Sequence, residues 1–146
     1  MASVSENLSG RRLTPAEQRE LMDLPLTGVW ATVSPSGRVH AVPVHFVRAG
    51  AEVRVLTQRQ SVKCRNSVDA GRATLCVPTT LGENDRRYVS VEGPVRVESP
   101  IQREDLLALD QKYDRDDVDS FEEPAYRDSV IMVLSPSRVI AWSDTD

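Results

Sequence analysis

The sequence predicts a mainly β domain: an antiparallel barrel of six or seven strands with helices set at its periphery. From Gly28 onward, apolar residues recur with period two, the repeat of a strand with one buried face. Turn chemistry separates these runs at short intervals, as in Pro35-Ser36-Gly37, Arg48-Ala49-Gly50-Ala51 and Ser135-Pro136-Ser137. Closure into a barrel is the economical solution for so many short strands, because it removes exposed edges.

Residues 1–13, polar and small, read as a flexible tail ahead of a single domain over residues 14–146. Thr14-Pro15-Ala16-Glu17 combines an N-cap threonine, proline at the first helical position and glutamate three residues after the cap. It opens a short helix to about Leu24, and Pro25 ends it. Val29, Ala31 and Val33 then alternate with Trp30, Thr32 and Ser34, and a second strand from Val39 to Val47 completes a hairpin. A turn at Arg48–Ala51 leads into Glu52–Leu56, which extends the hairpin to a three-stranded meander. Ser61 to Ala70 reads as a helix with Gly71 at its C′ position. Ala73–Val77 is a fourth strand, Pro78–Asp85 a loop, and Arg87–Glu98 a long strand broken at Gly93-Pro94 by a bulge or bend. Ser99-Pro100-Ile101-Gln102 reads as a second capping box opening a helix. Asp114–Asp128 is acidic and irregular, with Phe121 and Tyr126 as tethers, and Val130–Leu134 with Arg138–Trp142 forms a closing hairpin.

A chain of 146 residues fits one domain and buries about two thirds of its unfolded surface. The formal net charge of −4 lacks the broad basic face of a nucleic-acid binder. No apolar run approaches the roughly 20 residues that cross a bilayer, and the N-terminus lacks a signal-peptide core, so a cytoplasmic location is expected. Cys64 and Cys76 have no CxxC spacing and no histidine at metal-ligand spacing, which reads as buried reduced thiols rather than a metal site.

His40 and His45 lie an odd number of residues apart on one expected strand, so they face opposite sides and do not share a metal. No nucleophile motif supports a serine or cysteine hydrolase. Asp114, Asp116, Asp117 and Asp119 read as a solvated acidic loop. The basic cluster in TQRQSVKCRN, Thr57 to Asn66, is different: Arg59, Lys63 and Arg65 stand among the hydroxyls of Thr57 and Ser61 where a strand ends and a helix begins. Cationic side chains and free helix N–H groups together are what a phosphate site requires. A solvated helix start with incidental charge is the competing reading. GxxxxGK[ST] and GxGxxG are both missing, which disfavours a nucleotide triphosphate or a Rossmann dinucleotide.

The succession ATVSPSGRVHAVPVHFV, VRVLT, SVKCRN, ATLCV, YVSVEGPVRV and SPSRVIAW resembles the pyridoxamine 5′-phosphate oxidase-like family of flavin- and deazaflavin-binding split β-barrels, over about Leu24 to Trp142. The resemblance implies an FMN-binding split-barrel type of fold and a homodimer with cofactor sites at the subunit interface. It assigns Thr57, Ser61 and Lys63 to phosphate binding, with Arg65 and Asn66 close behind. Val42, Pro43, Val44 and His45 match the strand beside the ring, and Trp142 matches an aromatic that reaches the site from one subunit or the other. The substrate-binding extension of true pyridoxamine phosphate oxidases has no counterpart after Asp146, and His45 stands where many relatives carry tryptophan. The resemblance therefore implies an oxidoreductase that passes hydride between a bound cofactor and a small organic substrate. Coenzyme F420 is favoured over FMN, because Arg59 and Arg65 beside Lys63 suit its phosphodiester and polyglutamate tail. The alternative is a non-catalytic carrier of flavin, F420, haem or bilin. His45, Tyr88 and Tyr126 are proton-donor candidates by residue type alone.

Overall fold

The structure is a computed structural model and describes residues 10–79 and 84–144. Its elements in chain order are β1 (Arg11–Arg12), α1 (Pro15–Asp23), β2 (Gly28–Val33), β3 (Val39–Val44), β4 (Val47–Ala49), β5 (Glu52–Gln58), α2 (Val62–Ala70), β6 (Arg72–Pro78), β7 (Arg87–Glu98), α3 (Arg103–Tyr113), β8 (Ser129–Leu134) and β9 (Arg138–Ser143), with two short 3-10 turns between α3 and β8.

All strand pairs are antiparallel, and β7 belongs to two sheets. Its first half, Arg87–Glu92, pairs with β9 and lies in the order β3-β2-β6-β7-β9-β1. Its last residues, Val95–Glu98, pair with β8 in the order β4-β5-β8-β7. One long strand thus joins two sheets, the split barrel of the expected fold class. The barrel interior holds Trp30, Phe46, Leu75, Val55 and Met132, all fully buried, with Leu21 of α1 closing one side. A smaller cluster of Ile101, Ile131 and Val133 takes in Leu56, Phe121 and Tyr126, so the two tethers expected in the acidic segment do hold it down. The six residues of β8 are all buried because Val130, Met132 and Leu134 face one cluster while Ile131 and Val133 face the other.

The capping signature at Thr14 is realised: its hydroxyl accepts from the Glu17 N–H at 3.2 Å, and the Glu17 carboxylate accepts from the Thr14 N–H at 3.0 Å. Gly71 closes α2 with a left-handed φ of 71°. The tail expected over residues 1–13 falls partly outside the described residues; within them, Arg11 and Arg12 pair with β9.

Four local expectations are corrected. The strand expected from Val39 to Val47 stops at Val44, and Val47–Ala49 joins the other sheet, so the three-stranded meander does not form. The cause is Phe46: its ring is fully buried, its N–H donates to the Tyr113 hydroxyl at 3.2 Å and its carbonyl accepts from Lys112 Nζ at 2.8 Å, so both backbone groups leave the ladder. Together with β1, this division brings the described strands to nine. Secondly, β8 and β9 do not form a hairpin; each pairs with a different half of β7. Thirdly, β7 runs unbroken through Gly93-Pro94, which marks the switch between partners. Lastly, the capping box of α3 is Gln102 with Asp105, one turn later than Ser99.

Candidate functional site

The end of β5 and the start of α2 are held as one unit. Thr57 is buried, and its Oγ1 lies 3.0 Å from Ser61 Oγ, which is the N-cap of α2 and accepts from the Cys64 N–H at 3.2 Å. The Val62 and Lys63 N–H groups, at the positive end of the helix dipole, have no partner among the described residues. No acidic residue stands in the first turn of α2, and no hydrogen-bond or ion-pair partner for the side chains of Lys63 and Arg65 exists among the described residues. Arg59, whose Nη2 donates to Ser99 Oγ at 3.1 Å, lines with Cys64, Arg65, Val68, Asp69 and Val97 a groove of about 430 Å³ beside the helix.

On its other flank, α2 faces the β2–β3 hairpin. Ser34, Arg38, Val39, His40, Val62 and Asn66 line a second groove of about 350 Å³. Asn66 itself is buried, and its amide donates to Thr32 Oγ1 at 3.1 Å; the next residue, Ser67, accepts from Trp30 Nε1 at 3.0 Å. These two bonds fasten α2 to β2, so Asn66 holds the helix in place. His40 Nδ1 is buried beside this groove without a partner among the described residues.

β3 is the last strand of its sheet, paired only with β2, so its outer edge is open among the described residues. Val42 and Val44 turn to the core while Pro43 is exposed. His45 lies just past the strand end. Its ring stacks on Tyr113 with centroids 3.9 Å apart and 6° between planes, and its Nδ1 lies 3.1 Å from Arg115 Nη1. Partial burial first, then the Arg115 and Lys112 charges, hold its pKa below the ordinary histidine value. Tyr113 in turn donates to the Leu26 carbonyl at 2.7 Å. Lys112 bonds the Met22 and Phe46 carbonyls, both at 2.8 Å, and burial pulls its pKa down to about 8.

The structure therefore brings Thr57, Ser61, Lys63, Arg65 and Asn66 together on one short segment, with β3 packed beside α2. It does not bring Trp142 to them within one chain: Trp142 sits on β9 between Tyr88 and Arg12, beyond β6 and β7 from β2, with its Nε1 buried and without a partner among the described residues. Tyr126 packs into the smaller cluster. Burial raises the pKa of both the Cys64 and the Cys76 thiols, so neither is a ready thiolate. What sequence reasoning missed is the end of α3. Tyr113 and Arg115 reach His45 from about 70 positions away, and no local pattern announces such a contact.

The matching family model, pyridoxamine 5′-phosphate oxidase, covers residues 14–143. The chain belongs to the pyridoxamine 5′-phosphate oxidase family. Among solved structures, an F420 reductase is 26% identical, covers 86% of this chain and 98% of its own, and superposes with a TM-score of 0.73. An FAD-binding protein from Mesorhizobium loti is 15% identical over 92% of this chain and 97% of its own, with a TM-score of 0.69. HutZ, a heme storage protein from Vibrio cholerae, is 17% identical over 90% of this chain and 96% of its own, also at 0.69. None of the curated proteins matches. The family is thus one of flavin- and F420-binding, oxidoreductase-like proteins whose fold also serves heme storage.

Proposed function

We propose that the chain is an oxidoreductase subunit that binds coenzyme F420, in preference to FMN, and serves hydride transfer to a small organic substrate. The observation that carries this reading is the amino end of α2. Two N–H groups without a partner among the described residues and two linked hydroxyls lie there, next to Lys63 and Arg65, whose side chains also have no partner among the described residues, and no acid stands in the first turn. These donors fit a phosphate diester, and Arg59 and Arg65 beside the 430 Å³ groove suit an anionic tail. The 26% identity to an F420 reductase supports the same choice of cofactor.

The cofactor supplies the hydride chemistry when bound. Lys63 and the α2 N–H groups neutralise and orient the phosphate, and the open edge of β3 from Val42 to Val44, where Pro43 has no N–H to give, offers backbone polar groups to a planar ring. Trp142 serves a site of this kind from the second subunit of a homodimer, since its own chain places it on the far side of β7. A haem carrier fits less well. The Arg115 guanidinium is an obligatory donor, so the His45 Nδ1 it approaches is the acceptor and the proton sits on Nε2, the nitrogen an iron would need.

Titration of ligand-stripped protein with F420 and with FMN, by fluorescence, tests the proposal. F420 is expected to bind at micromolar or tighter concentration, about 8 kcal/mol, and more tightly than FMN. Lys63→Ala with Arg65→Ala should abolish most of that affinity, and an unchanged affinity in the double variant would refute the phosphate assignment. Oxidation of reduced F420 that depends on an added electrophilic substrate separates an enzyme from a carrier.

A further inference from the structure

The end of α3 has no part in the phosphate cradle, yet it meets the ring-side strand at its most distinctive residue. His45 lies with its ring flat on Tyr113 and its Nδ1 within hydrogen-bonding reach of Arg115, while among the described residues its Nε2 has no partner. A guanidinium has no acceptor to offer, so this contact fixes more than position. We infer that Arg115 is a positioning residue, resting His45 on the Tyr113 platform and fixing it as the Nε2–H tautomer, so that the imidazole presents one hydrogen-bond donor to a carbonyl-type acceptor on the ligand lying along β3.

The charges that act on the ring, Arg115 and Lys112, both oppose its protonation, and Arg115 alone selects the tautomer. Arg115 stands at Nδ1, Lys112 approaches from the preceding turn of α3, and the Tyr113 ring forms the floor. The carboxylate of Asp117 bonds Arg115, which holds the guanidinium in place and away from rotation out of the contact. Tyr113 is itself fixed, accepting from the Phe46 N–H at 3.2 Å and donating to the Leu26 carbonyl at 2.7 Å. A second proton on His45 would put a cation against Arg115, so the ring remains a neutral donor through the physiological range. The acceptor it serves is a carbonyl or imine atom of a conjugated ring system, the atom class a histidine N–H recognises best without a charge. This inference rests on the reading of β3 as the cofactor strand.

The test is long-range ¹H–¹⁵N correlation on ligand-free, ¹⁵N-histidine-labelled full chain as a function of pH, with His45→Phe used to assign the two histidines. Wild type is expected to show His45 as the Nε2–H tautomer at pH 7, with a titration midpoint below that of an ordinary histidine. Arg115→Ala should give mixed tautomers and raise the midpoint part of the way toward its ordinary value, burial and Lys112 still holding it down, and Arg115→Lys should restore the Nε2–H form. A wild-type Nδ1–H signal, or an Arg115→Ala spectrum that matches wild type, overturns the inference. In a second arm, His45→Phe keeps the stack but lacks the donor, and F420 affinity should fall about tenfold. Unchanged affinity in that variant overturns the ligand-facing role while leaving the cofactor reading intact. Binding of neither F420 nor FMN to wild type overturns the cofactor reading and the ligand-facing role together, and the tautomer spectrum still decides the role of Arg115.

Discussion

At the residue scale, the chain separates charges that hold the fold from charges available to a ligand. Arg48 is committed to Asp23 at 2.7 Å, Arg54 to Glu98 and Asp105 at 2.9 and 3.0 Å, and Arg87 to Asp85 at 2.8 Å. Lys63 has no such commitment among the described residues, so Lys63→Ala should leave thermal stability within about 0.5 kcal/mol and still cost about 1.5–3 kcal/mol of cofactor binding, the range of a charge-assisted hydrogen bond. A matching loss of both would mean that Lys63 is structural. The other lysine behaves in the opposite way. Burial lowers Lys112 to about 8, whereas an unfolded lysine keeps a value near 10.4. Between those limits the unfolded chain binds more protons, so this residue makes stability rise with pH from about 8 upward. Cys64 and Cys76, whose pKa values are raised by burial, act in the opposite sense near and above pH 9. The contribution of Lys112 is therefore read as the difference between wild type and Lys112→Met in urea unfolding at pH 7.5 and 9. The expected difference shifts toward wild type at the higher pH, and a pH-independent difference contradicts the assignment.

At the element scale, the joint between the two sheets is the tightest point. A Cβ on Gly93 would lie 2.0 Å from the Ser135 carbonyl oxygen and 2.9 Å from the Ser137 nitrogen, because the connection from β8 to β9 passes directly over β7 there. The same crossing is closed by Ser135 N–H to the Pro94 carbonyl at 3.0 Å and Ser137 N–H to the Glu92 carbonyl at 2.8 Å. Both contacts are backbone, which cannot rotate away. Gly93→Ala should therefore destabilise by about 3 kcal/mol or more, seen as a large fall in Tm, and a variant as stable as wild type would show that the crossing is looser than described. Ser61→Ala removes the N-cap of α2 and should cost about 1 kcal/mol of stability. It should also weaken phosphate binding, since the α2 N–H groups lose their fixed direction. Helices and caps of this kind were legible in the sequence because their signals are local: Thr14 with Glu17, and Ser61 with Gly71. Strand pairing was less so. Period-two runs locate β8 and β9 without saying that each seeks β7, and nothing near Phe46 announces that Tyr113 and Lys112 will take its backbone groups.

At the scale of the whole molecule, the segment proposed to hold phosphate was readable because it is contiguous from Thr57 to Asn66, while the proposed ring side was not, because the proposal draws it from β3, the end of α3 and a second chain. Asn66 illustrates the limit: its neighbours point to an anion, yet burial against Thr32 makes it a fastener of α2. Trp142 illustrates the other. Its Nε1, without a partner among the described residues, and its place beyond β7 are the observations behind the proposal of a site completed across a dimer. Sedimentation equilibrium should give a dimer with two cofactor sites, and a monomer that binds F420 at full affinity would remove Trp142 from the site. The central claim is that the amino end of α2 holds the cofactor phosphate. A crystal structure of the protein with F420 tests it most directly. The account predicts a phosphate oxygen within hydrogen-bonding distance of the Lys63 ammonium and the Val62 or Lys63 N–H. A phosphate bound elsewhere, for instance against Arg19 and Arg48 in the apolar cleft of about 500 Å³ between α1 and the β4–β5 turn, would contradict it.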